Sequence, residues 1–237
     1  MGNVIRKDAS IDSIIADVKT TRMNADAMGG AWQTIANDKI GPVATLIENI
    51  EGQIAAARKT ALPLAATLEA ANKKADLLLG KVSDDIWNAV GRPAADPALS
   101  LLFPEGYAYY AEGSTAEQPD RMELLAKLLE SGVHPKLDAA KAAAAAGEVR
   151  AEAAALTAAL NNARVPSATL ALLERMRSAL ARSAQMELVG LKRMYKAKGF
   201  RETEIHAVIP DRPDSGAKKP SARPANPAPA PAEAPTA

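Results

Sequence analysis

Apolar side chains recur at alternating four- and three-residue intervals along one stretch of the chain: Val43, Ile47, Ile50, Ile54, Ala57, Ala61, Leu64, Leu68, Ala71, Ala75, Leu78 and Val82. Not one of these positions is polar. A repeat of about 3.5 residues held this long predicts a long helix that lays a narrow stripe against a partner helix. Pro63 falls inside it, but the stripe resumes in phase on both sides, so the pattern predicts one kinked helix over about 42–81.

Similar stripes predict further helices. Ile11, Ile14, Val18, Thr21, Ala25, Met28, Trp32 and Ile35 form the first, with Ser10 or Asp8 as its cap and Gly41-Pro42 as its end. Gly29-Gly30 weaken it by about 1 kcal/mol per glycine relative to alanine. Ser83-Asp84-Asp85 reads as the start of a short helix stopped by Gly91-Arg92-Pro93, and residues 91–118 read as a long non-helical connection. Helix resumes over about 119–131, with Pro119 at its start and Met122, Leu125, Leu128 and Leu129 on one face. His134-Pro135 opens a helix over about 135–163 whose stripe is Ala142, Ala146, Val149, Ala153, Leu156, Leu160 and Ala163. Val165-Pro166-Ser167 reads as a turn into a last helix over about 167–198, with Leu170, Leu173, Leu180, Ala184, Leu188, Leu191 and Tyr195 on its face and Gly199 as a left-handed stop.

These elements predict an all-α fold, an elongated antiparallel helical bundle of about four long helices plus one or two short ones, with coiled-coil-like packing. Its helices would run roughly 40–60 Å. The bundle spans 8–200, with an irregular aromatic-rich connection at about 83–118. Residues 201–237 read as an extended, largely disordered tail, because eight of the sixteen prolines lie from Pro210 onward and there is little to bury.

Composition narrows this picture. Apolar residues make up 48% but aromatics only 3%, and fourteen alanines lie between Ala139 and Ala163. Alanine is the best helix former and the poorest core filler, which favours slim, closely approaching helices. The net charge of +1 gives no global pull toward nucleic acid or anionic lipid. There is no cysteine, no apolar signal-peptide core in Met1–Lys7, and no bilayer-length apolar run; a cytoplasmic protein is expected. Met1-Gly2 opens like a myristoylation site, but Arg6 stands where Ser or Thr is needed.

Two features remain as candidate sites. Five of the eight aromatics, Trp87, Phe103, Tyr107, Tyr109 and Tyr110, fall within 24 residues. They either fold back to plug the end of an alanine-rich bundle or form a surface for a partner. Near the end of the last helix, Lys192, Arg193, Lys196 and Lys198 form a basic cluster suited to an anionic partner. The helix dipole and simple solvation also account for cations there. No Gly-rich phosphate loop, nucleophile elbow or Glu-x-x-His pair occurs, and His134 and His206 are the only histidines. No catalytic residue, metal ligand or cofactor is therefore expected. The expected function is a non-enzymatic helical scaffold or protein-interaction module, self-associating or engaging a protein through the aromatic segment. One alternative is a membrane-interacting protein with an apolar tip at about 86–110. The other, less favoured, is a nucleic-acid-associated protein using the basic last helix.

Overall fold

The computed structural model describes residues 9–210, which are all-α. The helices are α1 (Ile11–Met28), α2 (Gly30–Ala89), α3 (Pro97–Leu102), α4 (Ala108–Ala111), α5 (Gln118–Glu130), α6 (Ala139–Ala197) and α7 (Glu202–Val208), with a four-residue extended stretch, Pro104–Tyr107, before α4. Two compact units result. Of the described residues, one combines 9–45 with 181–210, and the other spans Leu46–Leu180.

The breaks expected at Gly41-Pro42, Ser83 and Pro166 do not occur: α2 is one helix of 60 residues and α6 one of 59. The physical reason is where each proline points its damage. A helical proline crowds the carbonyl four residues back, here those of Asp38, Lys59 and Asn162. All three belong to exposed residues, where solvent is within reach of the carbonyl that loses its bond. Meanwhile Ile40, Val43, Ala44 and Ile47 stay in phase and buried across Pro42, so packing outweighs propensity.

In the first unit, α1 begins at Ser10, whose hydroxyl accepts from the Ser13 amide at 3.2 Å. Asp8, the other candidate cap, lies outside the described residues, as do the Met1-Gly2 opening and the chain beyond Pro210. The turn into α2 falls at Gly29 and Gly30, both in the left-handed region at φ 66° and 54°. Trp32 and Lys39 of α2 meet Tyr195 and Glu187 of α6, so the two helices run antiparallel. Ile14, Ile15 and Val18 of α1, and Ile205 and Val208 of α7, fill the remaining core. The stretch expected to be extended after residue 200 is therefore helix α7, because Ile205 and Val208 have a core to enter. The Asn24 amide completes the contact by donating to the Ala207 and Val208 carbonyls, each at 3.1 Å.

In the second unit α2 and α6 again run antiparallel. As the α2 partner advances through Glu51, Arg58, Lys74 and Lys81, the α6 partner retreats through Arg177, Glu174, Glu152 and Glu148. None of the twelve stripe positions is exposed. Toward the end of α2, α5 and the α3–α4 segment add a further layer. There Ala75, Leu79, Val82 and Ile86 pack with Met122, Leu125 and Leu129 of α5 and with Ala146, Val149 and Leu156 of α6. Leu79 is fully buried while Leu78 is half-buried, since the added layer draws the buried arc round by one residue. A smaller cluster joins Ile50, Ile54 and Leu173. Toward the smaller cluster burial thins out: Leu68 and Ala71 are half-buried at the edge of the large cluster, and Leu64 beyond them is half-buried too.

Two substitutions test this layering. Leu79→Ala removes a fully buried side chain and is expected to destabilise the second unit by about 2–5 kcal/mol. Gly52→Ala, at an exposed mid-helix position with nothing within 4 Å of the added methyl, is expected to stabilise it by about 1 kcal/mol. Urea unfolding of both variants against the parent chain measures each shift.

Candidate functional site

The aromatic segment is built on the end of α2. Gly91, at φ 94°, closes that helix: its amide donates to the Asn88 carbonyl and the Arg92 amide to the Trp87 carbonyl. This double closure leaves Arg92 at φ 54°. It also turns the Arg92 guanidinium over the Trp87 ring, 5.6 Å from its centroid, while the indole N–H donates to the Pro93 carbonyl at 3.2 Å. Next comes Asp96-Pro97, an N-cap followed by a first-turn proline, the arrangement that best starts a helix. One Asp96 oxygen accepts from the Ala98 and Leu99 amides, and the other lies 3.2 Å from Nε2 of the buried His134. The Leu99 amide is the main cause holding the Asp96 carboxyl below its usual range, with Ala98 and His134 adding to it. His134 Nδ1 accepts from the Lys136 amide at 3.3 Å, which leaves Nε2–H to donate to Asp96. This link pins the segment to the chain just before α6.

From that frame the five aromatics divide. Phe103 and Tyr110 are buried, packed edge to face at 6.0 Å, and the Tyr110 hydroxyl donates to the Leu102 carbonyl at 2.7 Å. Burial pushes the Tyr110 phenol up to about 12. Trp87, Tyr107 and Tyr109 are 40%, 47% and 41% exposed, and Leu101 beside them is 64% exposed. The Tyr107 ring lies over Gly80, close enough that an added methyl would touch it at 3.9 Å. Trp87, Asp84, Pro93, Asp96 and Phe103 line a cavity of about 290 Å³. The segment is therefore both plug and surface.

The basic cluster sits in the first unit. Gly199, at φ 83°, closes α6 with the same pair of bonds, Gly199 amide to Lys196 carbonyl and Phe200 amide to Tyr195 carbonyl. Phe200 is thereby laid on Trp32, centroids 3.9 Å apart, and against Tyr195, whose hydroxyl donates to the Trp32 carbonyl. This three-ring cluster had no counterpart in the sequence reading. The closure also brings Glu202 against the basic face, 2.8 Å from Lys192, 2.6 Å from Lys196 and 3.1 Å from His206. Lys192 and Lys196 are thus engaged within the chain, while Arg193 and Lys198 are exposed.

Among the described residues no cluster of His, Asp or Glu has metal-holding geometry. Among the described residues no helix is long and apolar enough to cross a membrane. The chain matches no protein-family model, no curated protein and no solved structure.

The Glu202 clamp predicts an acid-sensitive first unit. The Lys192 ammonium, followed by Lys196 and His206, lowers the Glu202 carboxyl from 4.5 to about 2. A carboxyl whose pKa is depressed by folding contributes stability that is full above its unfolded value and is lost as pH falls through the folded one. The parent chain is expected to lose this contribution between pH 4.5 and about 2. Glu202→Gln removes that part of the acid dependence and weakens the unit at neutral pH, as followed by unfolding monitored at the ring cluster.

Proposed function

We propose that the chain is a non-enzymatic helical scaffold that engages a protein partner through Trp87, Tyr107 and Tyr109. The observation that carries this reading is the division of the aromatic segment. Phe103 and Tyr110 anchor it in the core, so the three remaining rings are presented from a fixed frame. Aromatic side chains held this way give large contact area with little entropy left to lose on binding. The Asp96–His134 link serves the same positioning role.

The surroundings favour protein over lipid or nucleic acid. Asp84 is exposed beside Trp87, and Asp96 lines the same cavity. Carboxylates at that rim repel anionic headgroups and phosphates. The basic α6 end is the other surface suited to phosphate, and Glu202 offsets part of its charge.

The test compares the parent chain with a Trp87→Ser/Tyr107→Ser variant in quantitative affinity capture from the source cells, with sedimentation equilibrium on both. The expected result is a reproducible partner, or a self-associated form, that the variant loses while its helical circular dichroism is unchanged. Identical captured proteins and a monomeric parent at micromolar concentration would overturn the reading. Vesicle flotation is expected to leave the chain unbound to anionic membranes.

A further inference from the structure

The groove between α2 and α6 continues past the start of α5, and we propose that this open stretch binds an amphipathic helix of a partner protein whose apolar stripe is flanked by carboxylates. It is separate from the aromatic surface and does not depend on it.

The first argument is the way α5 itself occupies the groove. Met122, Leu125 and Leu129 are buried against α2 and α6. Glu123 and Glu130, seven residues apart on α5, converge on Arg150 of α6: its Nε donates to Glu123 at 3.2 Å, and its two terminal nitrogens donate to Glu130. Gln118 fixes the start of α5 by donating to Asp76 of α2 at 2.8 Å. An acid-flanked apolar helix is thus the occupant this groove already accepts.

The second argument is that the same chemistry repeats where nothing covers it. Arg164 lies fourteen residues beyond Arg150, about four turns, and Arg175 eleven beyond that, about three turns, so all three fall on one side of α6. Arg164 and Arg175 are exposed. Arg164 borders a cavity of about 530 Å³ floored by Leu68 and Leu160, with Pro119 of α5 at its end and Asp120 as the acid on its rim. Between Lys59 and Glu69 on α2, and between Arg164 and Glu174 on α6, no residue is charged. The Arg58–Glu174 pair shows that these two uncharged windows lie alongside each other. A helix laid here would bury apolar surface and offer carboxylates to two arginines about 16 Å apart along the axis.

Against a second copy of the chain stands the charge of the stripe. Pairing this side of α6 with itself in antiparallel order brings Arg164 toward Arg175 of the other copy, like charge against like.

The probe is a stapled amphipathic peptide on the order of 20 residues, long enough to hold a helix, with leucines at three- and four-residue spacing and glutamates on the flank. A control has lysines in place of the glutamates. Both are titrated by fluorescence anisotropy onto the full chain and onto an Arg164→Glu/Arg175→Glu variant shown by circular dichroism to be folded. The glutamate peptide is expected to bind the parent saturably and about tenfold more tightly than the lysine peptide, as two favourable charge pairs allow. The double variant is expected to reverse that preference. Trp87→Ser/Tyr107→Ser is expected to leave it unchanged, which separates this groove from the aromatic surface. Absence of binding by either peptide, equal binding of both, or a preference that survives the charge reversal would overturn the proposal. So would a parent dimer that Leu68→Lys converts to monomer, since the occupant would then be a second copy.

Discussion

The contact on which everything else depends is the narrow stripe between α2 and α6. Much of it is alanine, and an alanine contributes a single methyl, so each buried contact is worth little compared with leucine or isoleucine. Two helices joined by such a stripe approach closely but bury too little to stand unaided. Large buried side chains on α2 and α6 themselves, among them Ile40, Leu79, Leu156 and Leu188, are therefore supplemented by others from further elements. In the second unit these others come from Leu102, Phe103 and Tyr110 and from the apolar face of α5, and in the first unit from α1 and α7. The eight aromatics follow this division completely, five around the end of α2 and three around Trp32.

The same economy explains why the connecting segments are so closely tied down. Asp96 uses one oxygen to start α3 and the other to reach His134, so a single carboxyl orients the whole aromatic segment. Gly91 and Gly199 end the two long helices with the same pair of bonds, and each places a working side chain: Arg92 over Trp87, and Phe200 on Trp32. Glu202 then holds α7 to the basic end of α6. Function, in this account, uses what these ties leave over, namely three half-exposed rings and one uncovered groove.

Periodicity made the helical class, the α2 stripe, the Ser10 cap, the start of α5 beside Pro119 and the Gly199 stop legible in the residues. Helix continuity was not legible, because Gly41-Pro42 and Val165-Pro166 carry strong local stop signals. What overrides them is the exposure of the crowded carbonyls and the packing of residues far away in sequence. Residues 91–118 read as non-helical, yet Asp96-Pro97 starts α3 and Ala108–Ala111 form α4; neither these short helices nor the Asp96 bond to His134, 38 residues on, was anticipated. The aromatic segment was found as a cluster, yet nothing local distinguishes buried Tyr110 from exposed Tyr109. The pairing of Lys192 and Lys196 with Glu202 depends on the turn at Gly199 and was likewise hidden. Arg164 and Arg175 gain meaning only once Arg150 is seen holding two glutamates of α5.

Hydrogen exchange along the second unit tests the central claim most directly, that α2 and α6 are covered by further elements at 75–86 and 146–156 but meet only along a thin stripe, Ala61 and Ala163 included, between the two clusters. Amides at 60–70 and 160–171 should exchange markedly faster than those at 75–86 and 146–156, because local opening there exposes less buried apolar surface. Uniform protection across these windows would contradict it, showing that the alanine stripe alone suffices or that the groove is already filled.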